Sequence, residues 1–183
     1  TDVMTGDRDK RRYLYYQLIH SMRKADRIDI IVSFLMESGV KMLLEELKKA
    51  MKRGAKVRIL TGNYLGITQP SALYLIKHEL GELVDLRFYN ERNRSFHPKS
   101  YIFHYADHSE IYIGSSNISR SALTSGIEWN YRFSSHRDPE NYEKFYRTFE
   151  DLFQNHSIVI DDKELKRYSK TWHRPAASKD LDR

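Results

Sequence analysis

The stretch from Phe96 to Asn130, FHPKSYIFHYADHSEIYIGSSNISRSALTSGIEWN, sets several polar residues between apolar runs. Two of those runs, KSYIFHY and EIYIGSS, are joined by the polar turn ADHS, which predicts a β-hairpin. The following segment, NISRSALTS, is typical of a short helix, and IEWNYRFS is typical of another strand. The polar residues of this stretch are therefore expected on a frame made of a hairpin, a helix and a strand.

Strands and helices alternate on the N-terminal side of that stretch. Compact apolar runs predict buried strands at residues 27–34, 55–62 and 83–89, and apolar periodicity predicts helices at residues 8–26, 37–54 and 70–80. Alternation of this kind builds a parallel sheet through right-handed crossovers. Together with the hairpin, it predicts an α/β fold in which helices flank both faces of a mixed β-sheet.

The C-terminal part of the sequence predicts two more helices. Residues 138–154 form an amphipathic pattern with one aromatic face, and residues 161–172 suggest a short last helix. The aromatic face consists of Tyr142, Phe145, Phe149 and Phe153. We expect one domain over residues 1–160, followed by a helix and linker over residues 161–183 that lead toward a downstream domain.

Composition narrows the function classes. The 183 residues are 40% hydrophobic and 31% charged, as is common in globular proteins, and the net charge of +6 favours a polyanionic partner such as nucleic acid. No apolar run approaches the roughly 20 residues needed to cross a bilayer, and the polar N-terminus does not resemble a signal peptide. The sequence has no cysteine, which excludes disulfides, cysteine nucleophiles and thiolate metal sites. A cytoplasmic location fits these features.

His97 and Lys99 stand out among the polar residues. Residues two apart in a strand point to the same side, and Pro98 is tolerated at the start of a strand, where no N–H is needed. His97 and Lys99 are therefore expected to point together. Tyr101 and Phe103 continue that side, so part of it should be buried.

The GSSN segment ends the second hairpin strand and precedes the short helix. Asn117 is a candidate N-cap, with Ser115 and Ser116 just before it. A helix N-terminus with free N–H groups suits phosphate, although the same pattern also occurs in ordinary strand–turn–helix connections. Pairing across the hairpin turn would bring these residues beside His97 and Lys99.

Glu128 lies in the last predicted strand of this region. Ile127, Trp129, Tyr131 and Phe133 alternate along it and occupy one face. Glu128 and Asn130 fall on the other face, where a carboxylate is expected to be solvated or paired. Histidine is a natural partner, because a carboxylate fixes the imidazole tautomer and raises its basicity. An exposed carboxylate on an edge strand is the alternative.

HPK, GSSN and the following Glu resemble the His-Lys-Asn motif of the phospholipase D superfamily, specifically its compact nuclease branch with one motif per chain. The resemblance is densest from Phe96 to Asn130 and implies a phospholipase D/nuclease-like sandwich. It implies catalytic roles for His97, Lys99, Asn117 and Glu128, with Glu128 orienting His97. It also implies phosphate binding by Lys99, Ser115, Ser116 and Asn117, and no metal or cofactor.

One position departs from the family pattern. The fuller motif has an Asp five residues after the Lys, where this sequence has His104, and Asp107 follows three residues later in the turn. This departure argues against a lipid-hydrolysing member. A wider part of the sequence resembles the phospholipase D-like domain at the N-terminus of certain bacterial superfamily 2 helicases. It includes residues 31–73 and the segments NRSFHPKSY and GSSNISRSALTSGIEWN. Because this sequence has no Walker loop, an ATP-driven motor would lie outside it.

The expected chemistry is set by the residue types. Lys99 and the Asn117 amide would grip the anionic phosphate oxygens, and the His97 imidazole would attack phosphorus to give a phosphohistidine. A second His would protonate the leaving oxygen and then activate water. Since each chain supplies one such His, a homodimer is expected, acting on nucleic acid, with DNA favoured over RNA.

Three other interpretations remain open from the sequence. The domain could be a non-catalytic nucleic-acid-binding module that keeps the phosphate pocket. It could be a metal-dependent hydrolase that uses His97, His104, Asp107 and His108, although residues 104 and 108 straddle a turn and offer poor ligand geometry. True lipid hydrolysis is the third, but no amphipathic membrane-binding face stands out.

Overall fold

A computed structural model of the protein describes residues 2–7 and 13–175. Its strands are β1 (Val3–Met4), β2 (Arg27–Val32), β3 (Lys56–Thr61), β4 (Val84–Tyr89), β5 (Lys99–His104), β6 (Ser109–Gly114), β7 (Asn130–Ser134) and β8 (Ser157–Val159). Its α-helices are α1 (Leu14–Met22), α2 (Glu37–Lys52), α3 (Pro70–Leu80), α4 (Arg120–Thr124), α5 (Pro139–Asn155) and α6 (Asp162–Thr171). Residues 8–12 of the helix predicted at 8–26 lie outside the described residues.

The strands form one mixed sheet in the order β1-β7-β6-β5-β2-β3-β4-β8. The pairs β2–β3 and β3–β4 are parallel, as the strand–helix alternation predicts, and the remaining pairs are antiparallel. The direction changes at β4, which pairs with antiparallel β8, and at β2, where Val32 pairs with Lys99 of antiparallel β5. The carboxyl ends of the parallel strands therefore lie beside the start of β5.

Apolar side chains leave the sheet on both faces and are covered by helices on each. On β2, Ile28 and Ile30 belong to one core, while Ile31 belongs to the other. Helices α1 to α4 and α6 contribute to the first core, and α5 covers the second with Tyr142, Phe149 and Phe153. The predicted mixed sheet with helices on both faces is confirmed.

Helix α6 packs against the same body as the rest of the chain. Leu165 and Tyr168 are buried in the first core, and the Tyr168 hydroxyl donates a hydrogen bond to the Thr68 carbonyl. The expected division at residues 160 and 161 thus falls between β8 and a helix that contributes to the core.

Helix α2 closely approaches the segment that carries Asn117. A Cβ added to Gly39 would lie 2.5 Å from the backbone carbon of Ile118, a distance that only glycine tolerates. The Met36 N–H also donates to the Ile118 carbonyl at 2.9 Å. These contacts fix the position of the loop between β6 and α4.

Across residues 2–7 and 13–175, none of the helices has the length and apolar character needed to cross a bilayer.

Candidate active site

The candidate site lies at the sheet edge where β2 and β3 end and β5 begins. His97 is exposed just before β5, and Pro98 precedes the first strand residue, Lys99, as the sequence predicts. The Ser33 hydroxyl, just beyond β2, donates to the Pro98 carbonyl at 3.3 Å. This bond ties the entry to β5 to the end of β2.

The His97 imidazole sits between two aromatic rings. Phe34 and Tyr64 meet it edge-on, with ring centroids 6.4 and 6.2 Å away. Among the described residues, no hydrogen bond restrains its ring nitrogens. The imidazole is therefore held by ring contacts and leaves its nitrogens available to a ligand.

Lys99 lies next to His97 and is partly buried. Its Nζ donates to the His97 carbonyl at 2.9 Å. Burial lowers the pKa of Lys99, and the nearby negative charge of Glu128 opposes part of that shift. The structure thus places Lys99 beside His97, and the negative charge of Glu128 acts on Lys99.

Asn117 is held at the same site by a hydrogen bond with the backbone of Phe34. Its Oδ1 accepts a hydrogen bond from the Phe34 N–H at 3.0 Å, so the amide nitrogen is left to face other partners. The expectation that Asn117 caps the helix is wrong: Ser119 is the N-cap and accepts from the Ala122 N–H. The backbone of residue 34 engages Asn117 instead, and the five-residue α4 begins later.

The two serines of the GSSN segment differ in their surroundings. Ser115 is exposed, and its hydroxyl donates to the Glu128 carboxylate. Ser116 is fully buried, donates to the Ala122 carbonyl and accepts from the Asn130 amide at 2.9 Å. Ser115 thus belongs to the exposed group, whereas the hydroxyl of Ser116 supports the loop from inside.

The Glu128 carboxylate accepts its hydrogen bond from Ser115 rather than from His97. In the described part of the chain, no hydrogen bond joins Glu128 to the imidazole. The carboxylate acts on the site through its charge near Lys99 and through its bond with Ser115. The orienting role that the resemblance implies for Glu128 stays a prediction.

The apolar side chains that alternate from residue 127 into β7 are largely exposed. Ile127 is 85% exposed, Trp129 is 71% exposed and Tyr131 is 51% exposed. Tyr131 stacks on Phe133, which contacts Phe145 of α5. We call Ile127, Trp129, Tyr131, Phe133 and Phe145 the apolar strip. It runs from Glu128, at the candidate site, along the outer part of the sheet.

The family-variant position, His104, lies at the far end of β5 from His97. Its Nε2 is 2.7 Å from the Asp29 carboxylate, which is fully buried and also accepts two hydrogen bonds from Arg58. Position 104 therefore carries an imidazole that is paired with a buried carboxylate of the adjacent strand β2. This pair belongs to the packing against α5, where Tyr142 approaches His104.

One possible metal-ligand group lies within the described ranges. Its three side chains, Asp107, His108 and His136, are close enough together to share an ion. The group sits at the turn of the β5–β6 hairpin, opposite the end that carries His97. The metal-hydrolase interpretation that combined His97 with His104, Asp107 and His108 is not supported, because the strand β5 separates the first residue from the other three.

Sequence reasoning missed Phe34 and Tyr64. Both come after strands of the parallel pair β2–β3, and the carboxyl ends of parallel strands are where α/β folds bring their loops together. That rule could have placed the two aromatic residues beside His97, but nothing in the hairpin motif itself points to them.

Comparisons with known proteins agree with this architecture. The family described as "Cardiolipin synthase, PLD-like domain" matches residues 16–156. A comparison with curated proteins found no match. The fold is similar to that of Nuc from Salmonella typhimurium, a phospholipase D family member, with a TM-score of 0.64 and 19% identity over 87% of this chain and 97% of that chain.

Two further solved structures share the fold. NucT from Helicobacter pylori has a TM-score of 0.65 and 16% identity, covering 86% of this chain and 97% of that chain. Polyphosphate kinase from Porphyromonas gingivalis has a TM-score of 0.65 and 12% identity, covering 90% of this chain but 24% of that chain. These likenesses confirm the expected phospholipase D/nuclease-like sandwich. Since the family match spans most of the chain and includes His97, Lys99, Asn117 and Glu128, the chain belongs to the PLD-like domain family.

Proposed function

We propose that this domain is a phosphodiesterase that cleaves nucleic acid through a phosphohistidine intermediate. The observation that carries the proposal is the meeting of His97, Lys99 and Asn117 at one sheet edge. Phe34 joins two of them, because its ring contacts His97 and its N–H holds the Asn117 amide. The net charge of +6 suits a polyanionic substrate.

His97 is the nucleophile in this proposal. A neutral imidazole nitrogen attacks phosphorus, a P–N bond forms, and the bond from phosphorus to the leaving oxygen breaks. The leaving oxygen takes a proton from a general acid. Water then attacks the phosphohistidine and gives a proton to the group that had acted as the acid. A new P–O bond forms, the P–N bond breaks, and the free imidazole is restored. The exposed ring of His97, with no hydrogen bond on its nitrogens within the described residues, is suited to this role.

Lys99 and Asn117 stabilise the charge that develops on the phosphate oxygens. Preorganised donors of this kind stabilise a transition state more than the ground state, because they are already aimed at the developing charge. The Asn117 amide oxygen is occupied by the Phe34 N–H, so its N–H₂ group is the one that can donate. Ser115 is a further candidate donor to the phosphate, but its single hydroxyl proton is directed at Glu128 and must turn away from that carboxylate first.

A second copy of the chain supplies the general acid. The site contains one His-Lys-Asn set, while the two steps need a nucleophile and a separate acid. A two-fold axis beside His97 would place two His97 side chains on opposite sides of one phosphate. The apolar strip is the surface that we assign to this contact, because it is exposed and its residues flank Glu128 at the site.

Metal independence is the first test of the proposed chemistry. Hydrolysis of bis(p-nitrophenyl) phosphate and of an oligonucleotide is expected to continue in EDTA, since side chains supply both the nucleophile and the charge stabilisation. Mass spectrometry after quenching in alkaline denaturant is expected to find a covalent phosphoryl adduct on His97.

Two outcomes would contradict this chemistry. Loss of cleavage in EDTA with recovery in magnesium would favour a metal-dependent hydrolase. Tight binding of nucleic acid with neither turnover nor adduct would identify the domain as a non-catalytic nucleic-acid-binding module, which is the alternative function.

The shared-site dimer makes a separate prediction. The double variant Ile127→Gln/Trp129→Gln is expected to sediment as a monomer and to lose most of its activity, because it removes apolar surface from the strip without adding charge near Glu128. Specific activity of the unaltered protein should rise with protein concentration until the dimer saturates. Sedimentation measures the oligomeric state, and initial rates measure the activity.

Leu83→Gln is the matched control, since Leu83 is an exposed apolar residue on another surface. It should change neither the oligomeric state nor the activity. An unaltered protein that sediments as an active monomer, with specific activity independent of dilution, would refute the shared site.

We also propose that the domain works beside an ATP-driven helicase motor or within a restriction-type protein. The likeness of residues 31–73 and of the GSSN region to helicase-linked domains supports this context. A helicase motor or a target-recognition domain downstream of Arg183 in the full-length protein would support the proposal, and a full-length protein with neither would contradict it.

A further inference from the structure

A cleft of about 530 Å³ opens beside His97 on the β3–β4 side of the site, away from β7. It is formed by the loops that come after β3 and β4, together with part of α6. Its lining includes Asn63, Tyr64, Asn90, Arg92, Arg94 and Phe96. The cleft reaches the candidate active site at Tyr64, whose ring meets the His97 ring.

Tyr64 is presented to this cleft by a tightly fixed turn. Tyr64 is 48% exposed, and the next residue, Leu65, has a positive φ of 55° that is uncommon for a residue with a branched side chain. Helix α6 braces the turn, because Trp172 donates through its indole N–H to the Gly66 carbonyl. Strain of this kind persists only where the surroundings hold it, so Tyr64 is a preformed surface rather than a random exposed ring.

The charged residues of the cleft leave two arginines uncompensated. Of its acidic lining residues, Glu164 pairs with Arg167 at 3.0 Å. Glu91 contacts His156 at 2.7 Å, which is an ion pair when the imidazole is protonated, and the contact raises the pKa of His156. Arg92 and Arg94 are both exposed, and neither makes an ion pair within residues 2–7 and 13–175. The cleft therefore offers two guanidinium groups to an anionic ligand next to an exposed aromatic ring.

We propose that this cleft binds the nucleic-acid strand adjoining the phosphate that is cleaved, with a base stacked on Tyr64 and neighbouring phosphates on Arg92 and Arg94. The inference rests on the proposed function and names its substrate: a single strand, or a duplex opened locally. A base can stack on a protein ring only when its own face is free, and arginines beside an aromatic ring are the usual means of holding such a strand.

Binding is measured first, in a His97→Ala background that prevents cleavage. Fluorescence anisotropy with a short labelled oligothymidine should show that Tyr64→Ala weakens affinity about fivefold or more. The variant Arg92→Ala/Arg94→Ala should weaken binding and reduce the slope of log affinity against log salt by about 0.7 for each phosphate that is no longer neutralised.

Lys52→Ala/Lys56→Ala is the matched control. It also removes two positive charges, but from exposed residues at the opposite end of β3. It should leave the affinity close to that of the parent. Thermal melting should show that all variants remain folded, because the substituted side chains are exposed.

Catalysis supplies the second readout, in proteins that keep His97. The arginine variant should lose oligonucleotide cleavage but hydrolyse bis(p-nitrophenyl) phosphate at the parent rate, since this small diester needs only the site around His97 and not the cleft arginines. If the unaltered protein cleaves neither substrate, the proposed function fails. The binding data still show whether the cleft holds a nucleic-acid strand.

Two binding results would overturn the inference. One is that the Tyr64 and arginine variants change affinity no more than the lysine control. The other is that only the arginine variant loses affinity and that the protein binds duplex as tightly as single strand. The cleft would then hold a duplex through phosphate contacts, without a base stacked on Tyr64.

Discussion

Replacing His97 with alanine is expected to lower phosphodiesterase activity by at least several orders of magnitude, a loss comparable with removal of a member of a catalytic triad. The substitution removes the atom that would attack phosphorus. The fold should persist, because the imidazole is exposed. Hydrolysis rates and thermal melting of the purified variant measure both parts of the expectation.

His78→Ala is the control for this experiment, since His78 is an exposed histidine of α3 that stacks on Tyr74. It should keep full activity. The activities of Lys99→Ala and Asn117→Ala should lie between those of the two histidine variants. Each should lose roughly 10²-fold in activity, because it removes one donor to the phosphate and leaves the nucleophile. Activity retained by His97→Ala would rule out the phosphohistidine route.

Replacing Asp29 with asparagine is expected to destabilise the fold by about 3–5 kcal/mol, the usual cost of breaking a buried charge pair. The Asp29 side chain is fully buried against Arg58, His104 and Arg27. Asparagine keeps the shape but leaves the partially buried Arg58 with one carboxylate partner, Glu150. Denaturant unfolding at neutral pH measures the difference from the unaltered protein.

The contacts of Asp29 also make the stability of the fold depend on pH. Burial opposes ionisation of Asp29, but the hydrogen bonds and charges of His104 and Arg58 outweigh it and hold the Asp29 pKa below the usual 3.8. A carboxylate with a lowered folded pKa stabilises fully above its unfolded pKa and loses that stabilisation as the pH falls through the folded value. The difference between the unaltered protein and Asp29→Asn should therefore shrink below about pH 4.

Glu45→Gln is the matched control for the asparagine variant. Glu45 is a highly exposed carboxylate that pairs with Lys49 along α2, and exposed pairs of this kind contribute less than about 1 kcal/mol. If Asp29→Asn were no more destabilising than Glu45→Gln, the buried cluster would not stabilise the fold.

The sequence predicted the regular elements well where local signals were strong. Helix α3 spans Pro70–Leu80 as expected, because proline favours the first turn and Gly81 ends the helix with a positive φ of 71°. The β5–β6 hairpin was also placed correctly. The short strands β1 and β8 were not predicted, since two or three residues carry no periodic pattern and depend on pairing with distant strands.

The site was harder to predict because its contacts are tertiary. Residue types and spacing identified His97 and Lys99, but they could not show that Asn117 would bond to Phe34 or that Glu128 would bond to Ser115. Alternation likewise placed Ile127, Trp129 and Tyr131 on one face. It could not show whether another element covers that face, and the structure leaves it open.

Strand β2 has a parallel neighbour on one side and an antiparallel neighbour on the other. A ribosome releases the chain from its N-terminus at about 5–20 residues per second, so β2 and β3 can pair before β5 has been made. During that interval β2 offers an open, largely apolar edge, which is the feature that promotes wrong strand pairing. Arrival of β5 closes this edge and brings His97 and Lys99 to the end of β2. The exposure of this edge of β2 in the nascent chain therefore ends as the candidate active site begins to form.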